Sequence, residues 1–482
     1  MNVLSNLLNA AAAQGVFKFH PKCKKINLTH LCFADDLLIL TKGDLDSVVG
    51  VQKVLGLFYS ISGLQLNCEK SELFSTGVQR SKLEEIQQTT GFKIGTLPVR
   101  YLGVPLVTRR LNARDCEPLI EKIIGRINNW TAKLLSYAGR LQLINSVLFS
   151  LHNFWCRHFI LPKGALKRIN QLCASFLWKG KETNAKGARV SWEHVCYPKA
   201  EGGLGIKETL CWNRVCILQH IWAIIMQSGS LWVAWVQAYL LRGRSFWEVL
   251  PTQNSSWSWK KLLGLRPLAL EFMEWEGKIG RWRIPGEKYK TTAVWREIRS
   301  RRDKVEWHRL LWGSYTVPKY SFIAWMAVLD RLPTKDRMQT WGIVVDGQCV
   351  LCKQKNETRN HLFFGCSFSQ SVWKRILQLN GLGREVMRWE EELKWAYRKL
   401  KGKSLITLIM RCAWSAFIYA IWKERNRRMY ADMEETHMQV LDHIKQRIKI
   451  KFAGLENIEA DQTNLNLVRN WGLSPQNFCF LF

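Results

Sequence analysis

The quartet Cys349-x2-Cys352-x8-His361-x4-Cys366 restricts the fold of this chain more than any other feature. Two cysteines on a short knuckle can grip one side of a tetrahedron, and a His/Cys pair at a helix start can close the other. Thiolates and imidazole suit Zn²⁺ better than Mg²⁺ or Ca²⁺. Four protein ligands leave no open position for water, and no adjacent glutamate stands where a metalloprotease motif needs one, so the metal would be structural. On spacing alone, burial of three cysteines and a histidine without metal stays open.

A second constraint is the apolar run 28–40, which is broken by the adjacent carboxylates Asp35 and Asp36. It reads as a strand over 28–33, a tight turn over 34–36 and a strand over 37–40. Such a hairpin holds both acids at its tip, where paired oxygen donors suit Mg²⁺. An Asp-Asp turn with no further task is the alternative.

The remaining composition points to a globular chain with a polyanionic partner. Of its 482 residues, 47% are hydrophobic and 23% charged, which excludes a disordered tail protein. Lys plus Arg outnumber Asp plus Glu by 71 to 39, giving +32. The excess is scattered over 109–110, 179–186, 260–261, 299–304 and 423–428, as suits a surface that tracks phosphates and releases counterions. General solubility charge is the alternative. Fourteen cysteines without framework spacing fit buried thiols in a reducing compartment. No secretory signal pattern opens the sequence. Residues 404–422 are apolar apart from Arg411, and that arginine together with Ser404, Thr407 and Ser415 favours a buried helix over a membrane span.

Along the chain, 2–13 and 45–62 have helical spacing, the second with Val48, Val51, Val54, Leu55 and Phe58 on one face. Helical periodicity dominates 111–240. Glycines 202, 203 and 205 predict a tight turn; a phosphate loop would need a following Lys-Ser/Thr. Trp232, Trp235, Trp247, Trp257 and Trp259 are expected mainly in packing, with stacking on unpaired bases as the alternative. Residues 250–300, with Pro251, Pro267 and Pro285, read as a linker with little structure. Residues 385–452 read as helical; the basic run 421–428 suits either phosphates or a solvated helix end. The stretch 455–482 reads as irregular apart from a possible short helix, and no ribonuclease H carboxylate cluster is recognisable.

Four segments carry a resemblance. Phe33-Ala34-Asp35-Asp36 resembles the (F/Y)-A-D-D box of reverse transcriptases, within flanks like those of plant LINE-type, non-LTR retrotransposons. The stretch 63–71, ending in Lys70-Ser71, is similar to the next palm motif, and 97–106 is similar to the primer-grip region. Cys349, Cys352, His361 and Cys366 lie in what resembles the zinc-binding domain of these elements, with Trp312, Trp325, Trp341, Glu357-Thr358 and Trp373 as matching context. The fold so implied is α+β: a partial reverse-transcriptase palm (1–110), a helical thumb-like region (111–240), a Trp-rich linker (241–304), a small zinc-binding domain (305–395) and a helical basic tail (396–482).

The resemblance also implies roles. Asp35 and Asp36 would be magnesium ligands of an RNA-directed DNA polymerase. Lys70 would stand near the leaving pyrophosphate, although a lone lysine in such a turn is usually a solvated charge. Tyr101 and Gly103 would touch the primer, or form a hairpin around a packed aromatic. Arg126, Lys133 and Arg140 would face the duplex, and RNA and DNA would be the partners, without a membrane. Two-metal chemistry needs a further aspartate from an earlier strand. Only 34 residues precede Asp35, and none is Asp or Glu. The expectation is therefore a truncated, zinc-binding polymerase relic, inactive as an isolated chain, which would need Mg²⁺ only if an upstream polymerase segment completed its site. A non-enzymatic zinc-binding module that contacts nucleic acid or a host protein is the alternative. Between nucleus and cytoplasm, the resemblance favours the nucleus.

Overall fold

The computed structural model describes residues 2–130, 135–181, 187–276, 279–284, 286, 288–313, 315–454, 458–459, 461–473 and 478–479. The fold is mostly helical, with small two-stranded sheets. It divides into two compact units that the chain enters repeatedly. The first comprises Met1–Pro118, Asn153–Ala165 and Leu210–Arg299; the second comprises Leu119–His152, Leu166–Thr209 and Ser300–Phe482.

In the first unit, helix α1 (Asn2–Ala13) buries Leu4, Leu8 and Ala11, one stripe at helical spacing. Strands β1 (His30–Phe33) and β2 (Asp36–Ile39) pair antiparallel with Phe33 opposite Asp36. Helix α2 (Leu45–Ser62) starts where the Asp44 carboxylate accepts the Ser47 N–H. Its Val51, Val54 and Phe58 pack with Phe17 on the α1 stripe, and Leu37 and Ile39 of β2 lie against that core. A second hairpin, β3 (Val99–Tyr101) and β4 (Val104–Leu106), turns through Leu102 and Gly103.

Residues 250–300 depart from the expected linker. They form helices Trp257–Leu263, Arg266–Leu270 and Thr291–Ile298 and the hairpin Met273–Glu276 with Ile279–Trp282. Trp259, Phe272, Trp282 and Trp295 are buried there. Pro267 does not break a helix because it occupies a first-turn position, where its missing N–H has no intrahelical acceptor. Other tryptophans of this unit also pack: Trp235 donates to Lys22 O at 2.8 Å, and Trp247 lies edge-on to Trp275.

The second unit holds the helices α3 (Pro318–Val328), α4 (Lys335–Thr340), α5 (Ser367–Leu379), α6 (Leu405–Tyr430) and α7 (His437–Phe452). Among the described residues, α6 alone is long and apolar enough to cross a membrane. Its apolar side chains meet protein instead, because α3, α5 and α7 pack around it and Ile409 through Ile418 are buried on every face except at Arg411. That matches the expected buried helix.

The Gly202–Gly203 turn also belongs to this unit and is structural. Gly202 takes φ +88, and its carbonyl accepts Trp325 Nε1 at 2.7 Å and His194 Nε2 at 3.1 Å. A Cβ on Gly203 would lie 2.0 Å from Tyr197 O and 2.6 Å from His194 O. Both obstacles are backbone atoms that cannot swing away. Gly203→Ala is expected to destabilise this unit by about 1–3 kcal/mol or more. A thermal melt that leaves the midpoint unchanged would contradict this account of the turn.

Candidate metal centre and acidic hairpin

The knuckle is a short hairpin closed on itself by backbone hydrogen bonds. Cys349 N donates to Lys355 O at 2.8 Å, Glu357 N to Gly347 O at 2.8 Å, and Gln348 bridges Asn356. Lys353 N returns to Cys349 O at 2.8 Å, with Lys353 in the left-handed region at φ +53. These bonds turn both Cys349 and Cys352 inward. His361 opens a single π-type turn, His361–Gly365, whose first N–H is capped by the Thr358 hydroxyl at 3.1 Å. Cys366 follows at the start of α5, where helix N–H groups lack intrahelical acceptors.

The ligand atoms of Cys349, Cys352, His361 and Cys366 all lie within 4.8 Å of one another, with Cys352 Sγ 3.2 Å from His361 Nε2. A tetrahedron with zinc–sulfur bonds of ~2.3 Å has edges of about 3.8 Å, so the four residues fit Zn²⁺. Cys349 and Cys366 are fully buried, while Cys352 and His361 are partly exposed.

The electrostatics separate the two buried thiols. The Cys366 thiol is held below its ordinary value, chiefly by a hydrogen bond from the Cys349 thiol; burial opposes this, and the Ser369 and Phe368 N–H groups assist. Cys349 is pushed up, first by sharing its proton with Cys366 and then by burial. A divalent cation that binds both sulfurs displaces the protons they carry. His361 is shifted down by burial, then by the Lys355 charge, which keeps the imidazole neutral as a ligand must be.

Behind the knuckle lies a group that spacing did not single out. The Glu357 carboxylate accepts Arg425 Nη2 at 2.8 Å and Nε at 3.0 Å, and it also takes the Lys335 N–H at 2.9 Å. Both ionic side chains are fully buried. Nearby, buried Glu424 accepts Arg428 Nε at 2.8 Å and the Glu435 N–H at 2.8 Å. Of the basic run 421–428, Arg425 and Arg428 therefore serve internal ion pairs, unlike either expected use of that run. Glu357 was visible in the sequence only as neighbouring context, and a buried partner for Arg425 has no local signature.

In the other unit, the hairpin places Asp35 in a two-residue turn with Ala34 and makes Asp36 the first residue of β2; both acids are exposed. Ala34 takes φ +51, a left-handed conformation that costs an L-residue roughly 1–2 kcal/mol. The Tyr101 hydroxyl is pushed up by burial and then by its electrostatic interaction with Asp36 and Cys32. Gly103 occupies its turn at φ +81. Among the described residues no third acid converges on Asp35 and Asp36; the Cys/His quartet is the metal-binding group they contain. Lys70 is exposed and ends a single turn capped by Asn67. Arg126 is exposed on the helix Glu117–Asn129, whereas Arg140 donates to Leu177 O at 3.3 Å and lies 5.4 Å over Tyr137. Lys133 lies outside the described residues.

Two comparisons with known proteins bear on this chain. Residues 289–373, which include all four ligands, match a family model described as zinc-binding in reverse transcriptase. The chain is also similar to a putative ribonuclease H protein of Arabidopsis thaliana, at 32% identity over 188 residues. That similarity covers 38% of this chain and 29% of the relative. The stretch that holds Cys349, Cys352, His361 and Cys366 is thus similar to a reverse-transcriptase zinc-binding domain, and the four converging ligands agree with that similarity.

Proposed function

We propose that this chain derives from a plant LINE-type retrotransposon and works as a zinc-stabilised nucleic-acid-binding protein without polymerase activity of its own. The observation that carries the reading is the convergence of Cys349, Cys352, His361 and Cys366 inside the matched stretch. Zinc there would fix the knuckle, the His361 turn and the start of α5 as one rigid body. The net charge of +32 supports a polyanionic partner, RNA or DNA. In this reading 1–110 is a partial palm and 111–240 a thumb-like region. Asp35 and Asp36 would hold Mg²⁺ only beside a carboxylate from elsewhere, and Lys70, Tyr101 and Arg126 would act only in such a completed complex. Nuclear residence is part of the same proposal.

The purified chain should contain one equivalent of zinc by atomic emission. It should bind single- and double-stranded oligonucleotides with an affinity that falls log-linearly with salt, because each neutralised phosphate contributes about −0.9 to the slope on duplex DNA. Primer extension with Mg²⁺ or Mn²⁺ should yield no product. Absence of binding at low salt would refute the nucleic-acid reading, and template-dependent synthesis would refute the inactive one.

A further inference from the structure

The exit of α4 presents the least protected apolar segment near the metal centre. Trp341 is 49% exposed, Ile343 45% and Val344 99%. This turn is held open by its own backbone. Trp341 N donates to Arg337 O at 3.2 Å, Gly342 N to Gln339 O at 2.9 Å and Ile343 N to Met338 O at 3.0 Å, and Gly342 takes φ +77. Such a helix end ordinarily folds the residue after the glycine back onto the helix. Here Ile343 and Val344 face solvent, while Gln339 Nε2 fixes Val345 O at 3.1 Å and Gly347 O is tied to Glu357 N in the knuckle. An ordered, convex, apolar turn rooted in the metal module is pre-organised for a ligand.

The surroundings specify which one. The Arg337 guanidinium lies 5.6 Å over the Trp341 ring, leaving an aromatic face coupled to a cation. Lys353 and Lys355 are exposed on the adjoining knuckle. Of the acids around it, Asp346 is engaged by Lys335, Asp330 by Arg337 and Arg359, and Glu434 by Lys353; half-buried Asp336 stands outside these pairs, and Lys355 is the exposed knuckle cation they leave uncommitted. A nucleic-acid strand offers flat π faces and phosphates together, matching both kinds of group in one ligand. A protein partner would need an apolar socket rimmed with acids.

We propose that the Trp341–Val345 turn is a stacking wedge for unpaired bases of single-stranded RNA or DNA, an assignment that rests on the nucleic-acid reading above. Trp341 would carry a base on its face, and Ile343 and Val344 would fill the gap between unstacked neighbours.

The test uses the full zinc-loaded chain with short single strands of RNA and of DNA, each paired with an abasic strand of equal length. Trp341→Ala should weaken binding of the base-bearing strand about tenfold, equivalent to ~1.4 kcal/mol, with the salt slope and zinc content unchanged. Trp341→Phe should restore most of the affinity. The abasic strand should bind wild type and Trp341→Ala alike, and whichever sugar type shows the larger base-dependent loss identifies the natural strand. Equal binding of base-bearing strand by wild type and Trp341→Ala would overturn the wedge. So would a loss reproduced on the abasic strand, or a Val344→Ser change in oligomeric state with strand binding intact. If wild type binds no strand even at low salt, the underlying nucleic-acid reading fails too, which separates the two failures.

Discussion

Glu357→Gln should cost the zinc-bearing unit about 3–5 kcal/mol, the usual consequence of leaving one member of a buried ion pair without its counter-charge. The variant preserves volume and can still accept the Lys335 N–H, so the loss isolates the charge. Arg425 is fully buried, its Nε and Nη2 both point at Glu357, and its remaining contacts are Asn426 Oδ1 at 3.1 Å, Met338 and the Trp422 ring. None of these neutralises a guanidinium. Arg425→Met should be destabilising by a similar amount. The double variant Glu357→Gln/Arg425→Met should be more stable than either single one, because a hydrogen-bonded amide beside an apolar chain carries no uncompensated charge. The measurement is the urea midpoint followed by zinc release, since the two-unit chain need not unfold in one step. Additive losses in the double variant would show that the pair is not coupled. The pair ties α6 to the residue four positions ahead of His361. It thereby extends the metal module past residue 373, where the family match ends.

How much of this could be read from the residues alone depends on the range of the interactions involved. The Asp35–Asp36 hairpin was legible because strand alternation and a turn are local properties; only its boundary moved, with Asp36 entering β2. The metal ligands were legible because a tetrahedral site imposes its own spacing. The burial of α6 followed from an apolar run interrupted by one arginine. Residues 250–300 were misread because Pro and Gly signals outweighed aromatics whose burial depends on partners elsewhere, such as Tyr289 donating to Val215 O at 2.8 Å. Arg425 lay in a run of cations that looked like surface charge. Its carboxylate partner is 68 positions away, so no local pattern could reveal the pairing. The division into interleaved units was hidden for the same reason: composition changes mark consecutive segments, not chain crossings.

Removal of zinc should have the largest effect of all, because a structural site converts its apparent binding free energy, about 10–16 kcal/mol in small zinc modules, into folding free energy. Chelation, or Cys349→Ser or Cys366→Ser, should abolish hydrogen-exchange protection across the knuckle, the His361 turn and the first turns of α5. The α1–α2 packing, which contains none of the ligands, should keep its protection. Cys352→Ser should be milder than either buried replacement, since Cys352 is partly exposed and water can stand in for its sulfur. The pH dependence has a defined sign. Zinc binds thiolates and neutral imidazole, so protons compete with it and affinity falls as pH falls. The protons released come from the cysteine thiols, His361 being neutral already, and Cys349, whose proton is the hardest to remove, should release a full proton on binding at neutral pH. Titration calorimetry of zinc in buffers of differing ionisation heat counts those protons. A pH-independent zinc affinity, or full amide protection in the chelated chain, would mean that the four residues form a packed cluster and not a metal centre.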